Sequence, residues 1–543
     1  MENINRRSFV SGAALSAAAL VAAPMAARAD EAARTWDKEA DVVVVGAGGT
    51  GLAAAAQAAT DGASVLVLEK SDMIGGNTGL SGGLILAAGT KVQADLGIDD
   101  DVERFAEEQI ALGMGAVDED LVRRMCVESP EIVEWLQGMG KEYNIVNGVP
   151  SLKPYSNDEN WAPRCHWHQH ADNPYQSAGL GMEHTEALRT TAEAGGAVIE
   201  TGVEVTKLIT DGENGVIGVE AVTVDGQPIA VRANKGVILA TAGVDNNIEL
   251  ARKLNKLQYW ALQQIEKGCG YLFEMATNTG DGIRMGMEIG ADVVTSEACV
   301  MISSPLYPGA VQDFHVVDYP DAAPNLYQSS PLPGTIFVNE HGNRFFQEDA
   351  MWGYATGKIY QEVRDNGHID EPLSAAKIYG LVDGGNLEYW LACDKLGTDA
   401  SVDDMVASGR LLKDDTLEGL AEQMGVNVEN LVATVERWNG FVADGEDRDF
   451  GRVADMAPIA EGPFYAANMN SLVIMGTTGG LKINADCQVI DVNGNVIPRL
   501  YAGGQNAGGW MGQYYHSCGW SVLGTAVHGR NAGRHAASLE SWA

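Results

Sequence analysis

Gly46, Gly48, Gly49 and Gly51 fall within the run Gly46-Ala47-Gly48-Gly49-Thr50-Gly51, and an acid, Glu69, closes the next apolar segment. This is the spacing of a dinucleotide grip. Gly46 permits a tight turn, Gly48 lets the main chain approach a pyrophosphate, and Gly51 lets a helix and a strand pack closely. A helix that starts here turns its free N–H groups toward the phosphates. Glu69 is placed to hold ribose hydroxyls and would repel a 2′-phosphate. The segment after Glu69 favours FAD over NAD. Lys70 leads into Gly75-Gly76-Asn77-Thr78-Gly79-Leu80-Ser81-Gly82-Gly83, a second glycine-rich loop in which Gly76, Asn77, Thr78, Gly82 and Gly83 could lie along an isoalloxazine ring and its ribityl chain.

These residues need a strand, a helix and a second strand to place them. Residues 41–45 are an aspartate and four valines, β-branched and apolar enough for a buried strand. Residues 52–60 form an Ala-rich helix, Asp61-Gly62 turns the chain, and residues 64–68 form the second strand, ending at Glu69. Two later apolar strands end in small residues, one at Ala242 and Gly243 and one at Gly503 and Gly504. No second strand–GxGxxG–helix unit occurs, so a separate NAD(P)H domain is not evident.

The 543 residues include 45 % apolar side chains and 65 glycines, a globular composition; the length suits about two to four domains. With 36 basic and 74 acidic side chains the formal charge is −38. That charge repels phosphate backbones and anionic membrane surfaces, which argues against nucleic acid as a partner. The 7 cysteines contain no CxxC and no CxxCH, which argues against c-type haem and against locally built zinc or iron–sulfur sites. The run Cys165-His166-Trp167-His168-Gln169-His170 sets alternating imidazoles on one side of an extended segment, a pattern able to bind zinc or copper. Its other readings are a substrate pocket lined by His166 and His168, or plain surface and core histidines, and no metal is assigned.

Residues 5–10 read NRRSFV, an Ala-rich apolar run occupies 12–23, and Ala27-Arg28-Ala29 precedes Asp30. This is the pattern of a twin-arginine signal peptide over residues 1–29. Its apolar run falls short of the roughly 20 residues that span a bilayer, so no transmembrane anchor is expected. The Tat translocase becomes a partner, and the destination is the periplasm or the outer face of the cytoplasmic membrane. That route carries proteins that fold first, often around a cofactor.

The dinucleotide fingerprint, the GGNTGLSGG loop, Ile238-Leu239-Ala240-Thr241-Ala242-Gly243, Asn278-Thr279-Gly280-Asp281-Gly282, the segment from Phe337 to Phe345, and Tyr501-Ala502-Gly503-Gly504 run in one order along nearly all the chain. In this the chain resembles the flavoprotein family of fumarate reductases, succinate dehydrogenases and ketosteroid dehydrogenases. The resemblance implies an α/β fold. A Rossmann-like FAD-binding domain, over residues 36–304 and 476–543, would be interrupted by an α+β capping domain over 305–475, with helical runs near 355–365 and 416–441. Substrate would lie between the two, beside the flavin. Asp281, Gly504, Ser521 and Leu523 become further FAD contacts. The GGNTGLSGG loop holds no histidine of the kind to which some relatives tether the ring, so the cofactor is expected to be non-covalent.

The fumarate reductases would imply a histidine before the Thr-x-Gly-Gly hinge, an arginine late in the chain and an arginine acid after the Arg-Phe segment. The corresponding stretches read Ile474-Met475-Gly476-Thr477-Thr478-Gly479-Gly480, Gly512-Gln513-Tyr514-Tyr515-His516-Ser517-Cys518-Gly519 and Met351-Trp352-Gly353-Tyr354. A dicarboxylate would find no matching arginine clamp. Tyr515 and Gly519 instead look like the Tyr-x-x-x-Gly arrangement with which ketosteroid dehydrogenases grip a carbonyl oxygen, an oxyanion hole. The alternative is that Tyr514 and Tyr515 are ordinary aromatics packed beside the flavin. Tyr354 is the candidate proton donor, with Arg344 either its helper or a salt-bridge partner of Glu348. Trp352, Tyr514 and His516 join His166 and His168 as candidate substrate contacts.

The expected activity is that of an FAD-dependent oxidoreductase acting on CH–CH groups. It would reduce a carbonyl-conjugated C=C bond of a small organic acceptor by hydride transfer from flavin N5, with electrons from a separate cytochrome- or quinol-linked donor. The alternatives are ketosteroid-type desaturation in the reverse direction and a flavin-bearing electron-transfer subunit without its own substrate. Export has a direct test. Changing Arg6 and Arg7 together to lysine should leave a folded, flavin-loaded precursor inside the cell; mature protein still recovered from the periplasmic fraction would overturn the assignment.

Overall fold

Val42, Val43, Val44 and Val45 are 0–3 % exposed at the middle of a parallel sheet, where both faces of a strand must be apolar. The structure is a computed structural model that describes residues 34–145, 162–168, 180–212, 214–272, 275–296, 298–303, 334–349, 352–387, 401–453, 455–512, 514–515 and 517–542. The signal peptide assigned to residues 1–29 lies outside them.

The valines belong to β1 (Lys38–Val45), which runs through the glycine turn into α1 (Gly49–Thr60) and on to β2 (Val65–Glu69) and the short α2 (Gly76–Leu80). On the other side of β1 lie β3 (Pro228–Leu239) and then β4 (Val496–Ala502), all parallel. Val198–Thr201 extends the sheet beyond β2, and Gln488–Ile490 closes the opposite edge antiparallel to β4. Val216–Thr223 and Val203–Thr210 form an antiparallel wing on β3. α3 (Asp281–Glu288) opens after Gly280, whose φ is +75°.

In residues 334–469 the pattern changes. Ile336–Val338, Tyr379–Asp383, Phe464–Asn468 and Leu412–Asp414 make a four-stranded antiparallel sheet in that spatial order, with a core of its own around Leu381, Leu431 and Trp438. α4 (Trp352–Asp365) belongs to this interval. The helical run expected over 416–441 is two helices, Leu417–Met424 and Val428–Asp444, because Gly425 takes φ +66° and ends the first. The architecture is therefore α/β, a Rossmann-like parallel sheet interrupted by an α+β unit. α5 (Trp520–Ser538) returns to the parallel sheet and crosses α1. Gly529 and Gly533, four residues apart and so on one face of α5, touch the α1 backbone: a Cβ on either would overlap the carbonyl oxygen of Thr50 or Ala54. No described helix is long and apolar enough to cross a membrane.

Past the end of α4, His368 Nδ1 meets Glu371 Oε2 at 2.6 Å and its Nε2 meets Glu340 Oε2 at 2.9 Å, tying the helix end to the turn after Val338. The carboxylates of Glu371 and then Glu340 raise the imidazole pKa above its ordinary value. The stability this charged clamp contributes is complete below the unfolded-state value of about 6.5 and is lost as pH rises through the raised folded value. His368→Gln should therefore lower the thermal midpoint by about 1–2 °C at about pH 5.5. In circular-dichroism melts the deficit should close by about pH 9; an equal deficit at both pH values would mean that charge is not the cause.

Candidate active site

Gly46 follows β1 with φ +101°, and a Cβ there would overlap the Ala240 carbonyl oxygen. Gly51 is held in the same way against the Gly46 carbonyl, which seats the first turn of α1 on the end of β1. Gly48 is different. Its Cβ would meet nothing nearer than Gly76 Cα at 4.0 Å and would stand in the cleft that Gly48 lines. Gly48 is also the N-cap of α1 and brings no side-chain cap, so the first N–H groups of the helix are left for a ligand. The second glycine loop stacks on the first, with Gly75 N–H donating to the Ala47 carbonyl at 2.9 Å.

Glu69 lines the same cleft. Its Oε2 accepts from Ala47 N–H at 2.7 Å and its Oε1 from Ser71 N–H at 2.8 Å, and a carboxylate has acceptor capacity beyond two bonds. Lys70 Nζ bridges Asp281 Oδ2 at 2.6 Å and Thr279 Oγ1 at 2.7 Å, joining β2 to the first turn of α3. Asn278 donates to Asn77 Oδ1, and Asn77 donates to Gln505 Oε1, each at 3.0 Å. This chain of amides links α2 to the segments before α3 and after β4.

Gly46, Gly48, Gly49, Glu69, Lys70, Gly76, Asn77, Thr78, Ala242, Asp281 and Ser521, all expected to hold the cofactor, line this one cleft. Gly51, Gly82, Gly83, Gly243, Gly504 and Leu523 do not form its wall. Ser81 Oγ accepts from Gly83 N–H at 3.2 Å and turns the loop. Gly243 packs on Thr477, Gly504 packs on Thr50 while donating its N–H to His528 Nδ1 at 3.3 Å, and Leu523 is buried on α5. Burial lowers the His528 pKa to about 4, so the ring is neutral and free to accept that bond. Thr50, Val203, Val205, Asn278, Gln505 and Thr525 line the cleft and are missing from the sequence-based set. Asn278 and Gln505 adjoin recognised motifs and were within reach. Val203 and Val205 are the buried residues of an ordinary alternating strand, and no signal marks them.

The FAD binding domain family matches residues 41–522 of the chain. The chain belongs to that family. A digoxin reductase of Eggerthella lenta is 36 % identical over 524 residues, 94 % of this chain and 90 % of its own length. A vinyl phenol reductase of Lactiplantibacillus plantarum is 30 % identical over 515 residues, 92 % of this chain and 96 % of its own length. The solved structure of a 3-ketosteroid-Δ4-(5α)-dehydrogenase from Rhodococcus jostii with 4-androstene-3,17-dione matches at a TM-score of 0.74 and 27 % identity, covering 93 % of this chain and 98 % of that one. The protein is thus an FAD-dependent oxidoreductase of the fumarate reductase-like type acting on CH–CH groups. Its cleft fits FAD: the uncapped start of α1 and the space over Gly48 would hold the pyrophosphate, and Glu69 the ribose.

Tyr515 lines the FAD cleft, and Gly519 N–H donates to Tyr515 Oη at 3.2 Å. Gly519, at φ +87°, is the N-cap of α5 and has no side-chain cap. Tyr354 stands in the first turn of α4, half-buried, with Lys358 Nζ 5.3 Å from its ring centroid. Trp352 opens the same helix, His168 ends the strand Cys165–His168, and His170 and His516 lie outside the described residues. No group of three or more metal-ligating side chains occurs among the described residues.

Two expected roles are corrected. Arg344 is no helper for Tyr354: its Nε donates to Glu348 Oε1 at 2.7 Å and its Nη2 to Glu348 Oε2 at 2.6 Å and Asp447 Oδ2 at 2.8 Å, beneath the Trp438 ring. Burial by itself would lower the guanidinium pKa, but the two carboxylates outweigh it and hold the value above the ordinary one. His166 is a core histidine rather than a substrate contact. It is 0 % exposed, with Thr90 Oγ1 2.7 Å from Nε2 and the Arg164 carbonyl 2.8 Å from Nδ1, and burial pushes its pKa down to about 4. Tyr514, a candidate substrate contact, is outside the wall of the FAD cleft and has its ring on Gly357 of α4.

Gly48 has φ −78° and ψ −176°, values that valine adopts without strain. Gly48→Val should therefore fold while placing its side chain where the pyrophosphate must lie. Forced overpacking of about 1–3 kcal/mol would weaken FAD binding roughly 10- to 100-fold. Titration of the apoprotein with FAD reads this out, and parental affinity would sink the assignment of Gly48 to the pyrophosphate.

Proposed function

We propose that this protein reduces the C=C bond of an enone-like acceptor, a small organic molecule whose double bond is conjugated to a carbonyl group. The reading is carried by the approach of Tyr515 Oη and Gly519 N–H to 3.2 Å at the FAD cleft. Gly519 also begins α5, so the positive end of a long helix reaches the same point. A carbonyl oxygen that takes the Gly519 N–H over from Tyr515 Oη and accepts the phenol O–H beside it draws electron density from its β-carbon. Bound FAD, when reduced, supplies the hydride that the β-carbon accepts, from N5 of its ring. The α-carbon then takes a proton, which balances the two-electron reduction. Tyr354 is the proposed donor, and Lys358, not Arg344, offers positive charge as the phenol gives up that proton. The relatives named for digoxin and vinyl phenol support a neutral organic acceptor over a dicarboxylate.

The steroid enone in the similar dehydrogenase structure favours a second reading on the same residues, in which the oxyanion pair acidifies a C–H beside a ketone and the substrate is desaturated. In either direction FAD is held non-covalently, since the loop 75–83 offers no histidine. A separate cytochrome- or quinol-linked donor feeds the reductase, and the protein works in the periplasm or at the outer face of the cytoplasmic membrane after twin-arginine export. The NRRSFV segment and the lack of a second GxGxxG unit support these assignments.

The test is anaerobic. The holoprotein is reduced with viologen and mixed with enones, acrylates and steroid enones, and flavin colour should return with at least one of them. Tyr515→Phe should keep its FAD and slow that return by about 10²–10³-fold, roughly 2.7–4 kcal/mol, mainly in the chemical step. An unchanged rate would make Tyr515 a packing residue. Bleaching of oxidised flavin by a saturated ketone, with no enone able to restore it, would select the desaturating direction.

A further inference from the structure

Gly357 sits in the interior of α4, where glycine is a poorer helix former than alanine, and its backbone is ordinary helix with no positive φ. The reason for a glycine lies outside the helix. A Cβ at this position would overlap Cζ, Cε1 and Oη of Tyr514. The ring of Tyr514 thus rests directly on the α4 backbone, and the absent side chain is the socket that receives it. The next residue, Tyr515, lines the FAD cleft and accepts a hydrogen bond from Gly519 N–H. One face of the 514–515 pair is therefore seated on α4 while the other serves the cleft. Tyr354 lies three residues before Gly357 on α4, close to the same face.

We infer that Gly357 and Tyr514 are positioning residues for the carbonyl grip. The ring-on-backbone contact fixes where Tyr515 presents its phenol beside Gly519, and it sets how closely α4, with Tyr354, approaches that pair. Any side chain at 357 displaces the Tyr514 ring and with it the alignment of the two donors. The outer end of a tyrosine can swing away, so the substitution is tolerated by the fold and felt in the alignment. This inference rests on the carbonyl-gripping role proposed for Tyr515 and Gly519.

The experiment is a double-mutant cycle on the FAD-loaded full chain with Gly357→Ala, Tyr514→Leu and the pair together. Alanine favours the helix, so G357A should fold; Gly357→Ser serves as a second probe if it does not. Two readouts are taken. The first needs no substrate: hydrogen exchange of the Gly519 amide in the oxidised holoprotein. The second is reoxidation of the reduced flavin by an enone. Changing Gly357 to Ala should speed Gly519 exchange and slow reoxidation by about tenfold when Tyr514 is present, and by less than about twofold in the Tyr514→Leu background, the coupling expected of residues in contact. Equal effects in both backgrounds, or no change in Gly519 exchange in the parent, would overturn the inference. If the exchange data show the coupling but no enone reoxidises the flavin of the unmutated protein, the socket stands and the proposed reductase activity falls.

Discussion

Contact of main chain on main chain at Gly46, Gly51, Gly529 and Gly533 holds the working parts of this protein at fixed spacing. The first two glycines seat the start of α1 on the ends of β1 and β3 through the Gly46 and Ala240 carbonyls. The second two lay α5 across α1 with no side chain between them. α5 begins at Gly519, so the crossing fixes the distance from the glycine turn before α1 to the Tyr515–Gly519 contact. Interiors packed at crystal-like density transmit such a constraint rather than absorb it. The two ends of the FAD cleft are thereby located by a few missing Cβ atoms.

The parts of the site that were legible in the sequence are those whose chemistry is local. Four valines, a glycine turn, an Ala-rich helix and Glu69 succeed one another in the chain, and the structure keeps them as β1, α1 and β2 with boundaries shifted by a few residues. Residues contributed from a distance were not legible. Val203 and Val205 arrive on a strand with no special composition. Arg344 shows the opposite case. Its place within a recognised segment left it between a catalytic helper and a salt-bridge partner of Glu348, whereas Asp447, far along the chain, completes a buried cluster around it with Glu348 and Arg452. A buried arginine needs its carboxylates close by, since desolvation of an unpaired guanidinium is costly, and only the fold reveals that both were supplied. His166 is similar: its neighbours Thr90 and the Arg164 carbonyl saturate the ring that alternation with His168 had made look available.

A protein with a formal charge of −38 has to hold an anionic dinucleotide, and the way its helices begin shows how the local field is made to oppose the global one. The helices starting at Thr90, Asp101, Asp118, Asn247, Asn255, Ser401, Thr416 and Asn427 each have an N-cap side chain that accepts from the first turn. α1, α2, α3 and α5 have glycine N-caps, Gly48, Gly75, Gly280 and Gly519, with no side-chain bond. These four are the helices whose first residues line, or directly adjoin, the FAD cleft through Gly48, Gly76, Asp281 and Ser521. A capping side chain would satisfy the free N–H groups and occupy the space in front of them. Leaving the cap to glycine keeps both the donors and the approach open. Elsewhere, where a helix end faces water or packed protein, the side-chain cap adds stability of about 1 kcal/mol. The long helices α1 and α5 thus bring positive helix ends to the FAD cleft, and the acidic surface decides solubility without deciding what the cleft can bind.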